Sequence, residues 1–257
     1  MTRSLRRAAA AVAACSVLLA APYASARTIN GTGKDDTLTG KSDADTINGK
    51  GGNDSINSGG GNDKVDGGSG KDKISLGAGN DTATGGSGKD KVKGGGGNDT
   101  VDGGSGNDTL LLKDGRDIAI GGVGDDRITT TNDNDRIEGG VGDDDLSAGE
   151  GEDYVDAGDG NDTMSGGDGA DQIFDGPGND NVSADAGDDV IHLGPGKDEV
   201  FAQEGNNTIY ADNDGSVDTI YCGPGPADKL FYNLVADVTD VLDGCETVEV
   251  VIPAREV

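Results

Sequence analysis

Aliphatic side chains recur along this chain at intervals of nine: Leu38, Ile47, Ile56, Val65, Ile74, Ala83, Val92, Val101 and Leu110. They are flanked by polar residues in most units, as in Lys64-Val65-Asp66 and Thr100-Val101-Asp102. Polar, apolar, polar is the period of a short strand with one buried face, so each unit predicts a strand with one inward residue. Between strands the chain is rich in glycine, as in Gly94-Gly95-Gly96-Gly97-Asn98-Asp99, and there it predicts a turn. Counting the unit from its first glycine, positions one to six are turn-like and the aliphatic residue stands at eight. Gly121–Thr129 is a clean copy; Gly139–Ser147 and Gly166–Phe174 are others.

One inward residue per strand makes a thin core, so a unit cannot stand alone and its neighbours must supply the other wall. Two units make a coil of eighteen residues, with a strand on each side and a turn at each end. Parallel strands stacked at about 4.8 Å, over roughly ten coils, predict a rod on the order of 50 Å long. After Tyr210 the spacing slips, with Ile220 and Leu230 following at eleven and ten residues. Leu230-Phe231-Tyr232 and Thr247–Ile252 predict strands of a small C-terminal cap. The expected division is a leader over 1–26, repeats over 27–221 and the cap over 222–257.

Composition alone points elsewhere. The formal charge is -29, aromatics make up 3 %, there is no Trp, and 48 residues are glycine. Such a chain ordinarily fails to bury enough surface to offset backbone entropy and stays disordered. The strict period overrules that reading, since disorder has no reason to hold one residue type at one phase. The acidity argues against nucleic acid and anionic membranes as partners and favours divalent cations or basic surfaces.

Much of the charge sits at position six, where an aspartate occurs at every ninth residue from Asp36 to Asp198 without a miss. In an eighteen-residue coil Asp90 lies next to Asp108 and Asp99 next to Asp117. Rows of stacked carboxylates repel unless a cation lies between them. Ca²⁺ suits the place, because it takes six to eight oxygens and the glycine turns can offer carbonyls as well. Mg²⁺ demands a tighter octahedron and gives up water reluctantly.

With this Gly-Gly-x-Gly-x-Asp-x-(apolar)-x unit the chain resembles the RTX, or haemolysin-type, calcium-binding nonapeptide repeat proteins over roughly Gly31 to Tyr221. The resemblance implies an all-β fold, a right-handed parallel β-roll, formed only when Ca²⁺ binds. It implies that Asp54, Asp63, Asp72, Asp81, Asp90, Asp99, Asp108, Asp126, Asp144, Asp153, Asp162, Asp171, Asp180, Asp189 and Asp198 ligate Ca²⁺. Backbone carbonyls of the glycine turns, those opened by Gly67, Gly85, Gly94, Gly103, Gly121, Gly139 and Gly166 among them, would complete the shell. Some units depart from the pattern. Thr130–Asp135 has no glycine, Leu112–Asp117 keeps one, Lys34 replaces a glycine, and Asn207 replaces the aspartate. These turns are expected to bind weakly or not at all while the roll continues through them.

Arg3, Arg6 and Arg7, the apolar run Ala8–Ala20 and Ala24-Ser25-Ala26 read as a secretory signal cleaved after Ala26. Cys15 would leave with it; the rival reading, a lipobox ending at Cys15, is countered by the apolar residues that follow. No other apolar run could span a membrane. The exported chain keeps Cys222 and Cys245, most simply a disulfide in an oxidising compartment.

Other motifs dissolve into the repeat. Gly85–Asp90 is similar to a phosphate-binding loop but lacks Ser or Thr after Lys89, and no EF-hand loop fits. Asn98-Asp99-Thr100 matches a glycosylation sequon only because positions five to seven do. His192, the one histidine, falls at outward position nine and reads as a solvated surface residue. The functional expectation is a secreted, non-catalytic calcium-binding roll, with an envelope or adhesive module and a remnant of an exoenzyme or toxin export domain as alternatives. An ice-binding face would need one outward residue type in rank, and position seven runs Thr37, Ser55, Lys73, Lys91, Thr109, Arg127, Asp145.

Overall fold

The computed structural model describes residues 26–211, 214–225, 227–232, 241–245 and 247–250. The leader with Cys15, and the strand residues Val251 and Ile252 expected in the cap, lie outside the described residues. Among the described residues 25 strands run from β1 (Thr28–Asn30) to β25 (Thr247–Val250). The odd-numbered strands form one sheet of 13 and the even-numbered a second of 12, so the chain changes sheet at every turn. All pairings are parallel. Val65 of β5 (Lys64–Ser69) pairs with Ala83 of β7 (Thr82–Ser87), and Ile56 of β4 (Ser55–Gly60) with Ile74 of β6 (Lys73–Ala78). The molecule is a parallel β-solenoid, and its coil is two units.

The glycine-poor units keep this register. Ala119 of β11 (Ile118–Val123) pairs with Ile137 of β13 (Arg136–Val141), and Ile191 of β19 (Val190–His192) with Ile209 of β21 (Thr208–Ala211). Further on, Glu199 pairs with Thr219, Thr208 with Lys229 and Thr219 with Val241, so the added residues are absorbed in the turns. Here Cys222 and Cys245 are disulfide-bonded, with their Cα atoms 5.1 Å apart. Cys222 is buried in the core and Cys245 packs against it.

The strands are longer than the three-residue pattern predicts. Twelve of them run six residues, from position seven through position three of the next unit, as β5 does. Alternation along such a strand turns position one inward as well as position eight, so each coil side contributes two core residues. Glycine hides this, because a missing side chain leaves no mark in a hydropathy pattern. Leu76, Leu112, Ala148, Ala157, Ala184, Leu193, Ala202 and Ala211 reveal it, all at position one and all buried. Each aliphatic side chain removed from water this way contributes about 1.5–3 kcal/mol for the larger ones.

Stacking also constrains position two, as at Gly86. Gly86 has φ +110°, and a Cβ there would run into the carbonyl oxygen of Gly68 one coil before. Only a residue without Cβ meets both demands at no cost.

His192 is not a freely solvated surface residue. Its ring is stacked between Phe174 at 4.5 Å and Tyr210 at 4.7 Å, and Tyr210 stacks in turn on Phe231 at 5.3 Å. Identical phase in successive odd-numbered strands brings these rings face to face, and burial lowers the histidine's pKa.

Candidate metal centre

Position six immediately precedes the strand, with its side chain drawn under the turn. From Asp45 to Asp198 these aspartates are only 1–4 % exposed. Their backbone and one carboxylate oxygen form a ladder: the N–H of Asp72 donates to Oδ1 of Asp90, that of Asp90 to Asp108, and that of Asp99 to Asp117, at 2.7, 2.7 and 2.8 Å. It runs on to Asp180 donating to Asp198 at 3.0 Å and Asp189 to the amide oxygen of Asn207 at 2.9 Å. The neighbours expected from an eighteen-residue coil are therefore in contact.

The second oxygen is different. Oδ2 is buried with no hydrogen-bond donor at position six from Asp54 through Asp90 and from Asp108 through Asp198. A buried polar atom without a partner is costly, and a charged one more so. The ends of the row show what it lacks. Oδ2 of Asp36 accepts from the N–H and hydroxyl of Thr32. Oδ2 of Asp45 accepts from the Lys41 N–H at 2.9 Å and meets the Arg27 guanidinium at 3.3 Å. At Asn207 an amide nitrogen replaces Oδ2 and donates to the Ala202 carbonyl at 3.2 Å. Between these ends, Asp99 apart, the described residues donate no hydrogen bond to Oδ2.

Glycine at position one keeps room beside this oxygen. At Gly67, Gly85, Gly94, Gly103, Gly121, Gly139 and Gly166 an added Cβ would sit 2.5–2.7 Å from Oδ2 of the aspartate five residues on. At Gly85 and Gly103 the same point is 2.6 and 2.7 Å from the position-one carbonyl of the following coil. Carboxylate and carbonyl oxygens thus line one small space. The expected ligands divide on this basis. Asp72, Asp90, Asp99, Asp108, Asp126, Asp144 and Asp171 follow a glycine, as does Asp54 after Gly49, whereas Asp63, Asp81, Asp153, Asp162, Asp180, Asp189 and Asp198 follow a side chain. At Ser58 and Thr130 that side chain donates its hydroxyl to the carbonyl of Leu76 and of Ala148, at 2.6 and 2.7 Å.

Burial governs the protonation of the row. It pushes Asp72, Asp99, Asp162, Asp171 and Asp180 up to about 6, against the N–H each accepts, and neighbouring carboxylates push the same way. Asp108, Asp117, Asp144, Asp189 and Asp198 rise to about 7 for the same reasons. Asp45 goes the other way: burial raises it, but the hydrogen bonds and charge from Arg27, with the Lys41 N–H, outweigh burial and leave it lowered. One local cation reverses the direction.

Two features were not visible in the spacing. Position five carries a second ladder, in which the N–H of Asn98 donates to Oδ1 of Asn80 and that of Arg116 to Oδ1 of Asn98. Asp175 stands at inward position one, fully buried, and burial with the nearby Asp198 charge raises it to about 8. Its signal was a charged residue at a phase otherwise held by small or aliphatic ones.

An oxygen-only donor set, charged and lacking hydrogen-bond donors, fits a hard cation of the Ca²⁺ kind. The family described as RTX calcium-binding nonapeptide repeat (4 copies) matches residues 28–56, 39–74, 75–110, 112–146, 138–173, 165–200, 174–209 and 192–214. The chain belongs to this family; it is a calcium-binding repeat protein with a parallel β-roll. Comparison with curated proteins finds no match. No helix among the described residues is long and apolar enough to cross a membrane.

Proposed function

We propose that this chain is a secreted, non-catalytic protein whose roll is assembled by Ca²⁺ outside the cell. The observation that carries the reading is the row of buried Oδ2 atoms without donors, closed off at its ends by Thr32, Arg27 and the Asn207 amide. Position-six carboxylates and carbonyls of the glycine turns would hold the ions, and the ions would supply the positive charge that the chain lacks. Inside a cell, where free Ca²⁺ is scarce, the same carboxylates would keep the chain open. A cut after Ala26 would turn the Arg27 N–H, 2.8 Å from Asp45 Oδ1, into an ammonium facing that carboxylate. Both faces of the single histidine are covered by aromatic rings, which favours a structural over a catalytic role.

The test is a Ca²⁺ titration of metal-stripped protein followed by circular dichroism in the far ultraviolet. A largely unfolded spectrum should become β-type with millimolar-range Ca²⁺ and stay unchanged with Mg²⁺. A spectrum indifferent to Ca²⁺ would overturn the proposal.

A further inference from the structure

Asp175 stands at position one, where every other unit from Gly31 to Ala211 carries Gly, Ala, Leu, Ser or Thr. β17 (Gln172–Phe174) ends just before it, and alternation turns its carboxylate into the roll, 0 % exposed. There it meets Asp180, position six of its own unit, and Asp198, the corresponding residue one coil on. One carboxylate oxygen from each of the three lies within 4.8 Å of the others. Oδ2 of all three is buried without a hydrogen-bond donor. The Gly194 N–H donates to Oδ1 of Asp175 at 2.6 Å, which fixes that carboxylate and leaves Oδ2 for a ligand. Among the described residues no Lys or Arg makes an ion pair with any of the three. Three carboxylates this close cannot all ionise unless a cation joins them.

We infer that Asp175, Asp180 and Asp198 together hold one divalent cation inside the roll, at a site built on an inward side chain instead of a glycine-opened turn. The inference rests on the calcium reading of the roll but goes beyond it, because the repeat assigns no side-chain ligand to position one. Oxygens on opposite sides of a bound Ca²⁺ are about 5 Å apart, so a cluster of this span encloses a single ion. Three carboxylates bring more charge than the regular turns gather, and affinity in oxygen sites rises with ligand charge. This ion is the first to be taken up and the last to be removed by a chelator.

The core tolerates the test substitution. Ala157, one coil before, and Ala184, in the next unit, occupy position one and are fully buried, so Asp175→Ala installs a residue the coil already accepts. Asp175→Asn, of the same shape, is its companion. Calorimetric titration of CaCl₂ into metal-stripped wild-type chain should show a tight class of one ion, about tenfold or more tighter than the rest. Both variants should lose that class and bind one ion fewer, with the β-type spectrum intact at saturating Ca²⁺. An unchanged ion count and an unchanged tightest Kd in both variants would overturn the inference alone. Failure of the wild type to bind Ca²⁺ at all would overturn the calcium reading with it.

Discussion

The backbone N–H of Asp72 donates to Oδ1 of Asp90 across 2.7 Å, while Oδ2 of that same carboxylate has no donor. Each repeat aspartate therefore divides its labour, with one oxygen holding the coil below and the other held out to a ligand. Asparagine can do the first job and not the second.

Asp90→Asn should accordingly keep the fold and lose an ion. Asn207 is the precedent, since its amide oxygen still accepts the Asp189 N–H and its amide nitrogen finds the Ala202 carbonyl. We expect one Ca²⁺ fewer by calorimetry and, without Ca²⁺ at pH 8, more β-type circular dichroism than wild type. Asp135→Asn should scarcely change the ion count, because Thr130 fills the place that Gly85 leaves open. Equal losses from the two variants would refute the ranking of turns.

Acidity should replace calcium in part. The raised carboxylates, from about 6 at Asp72 to about 7 at Asp108, bind protons more tightly folded than unfolded. Their contribution to the calcium-free fold is complete below the ordinary carboxylate pKa of about 3.9 and is lost as pH rises through 6 to 7. Metal-stripped protein should show more β-type circular dichroism at pH 4.5 than at pH 8. With saturating Ca²⁺ the order reverses, since the ion binds only the ionised form. A calcium-free β-type signal that grows with pH would contradict the assignment.

Gly86→Ala should destabilise the calcium-loaded roll by about 2 kcal/mol or more, from its positive φ and the collision with the Gly68 carbonyl. Gly96→Ala is the control, because a Cβ there meets nothing within 4 Å. Denaturant melts of the two should separate clearly, and equal midpoints would show that stacking does not require the position-two glycine.

Reducing the Cys222–Cys245 bridge, which links residues 23 apart, should lower stability by about 3 kcal/mol. Hydrogen exchange should quicken first in β23 (Lys229–Tyr232) and β25, with β5 and β7 little changed. Uniform quickening along the whole roll would instead mean that the bridge governs every coil.

The period, the two-sheet coil and the aspartate phase were all legible because each is carried by a side chain at fixed spacing. The second core row was not, since Gly67 and Gly85 write nothing at a position that Leu76 and Leu112 fill. His192 misled for a related reason: position nine faces outward in one strand, but Phe174 and Tyr210 cover it from the coils on either side. Asp175 was lost among the turn aspartates, because a sequence shows its charge and only the stacked strands show that it points inward.

The aspartate ladder has a direction. Every N–H at position six looks toward the C-terminus for its acceptor, up to Asn207 donating to Asp228 at 2.8 Å. Each position-six N–H is thus satisfied by the coil that follows it in the chain, not by the one before. A roll truncated anywhere before Asn207 therefore leaves the position-six N–H of its last coil without that acceptor.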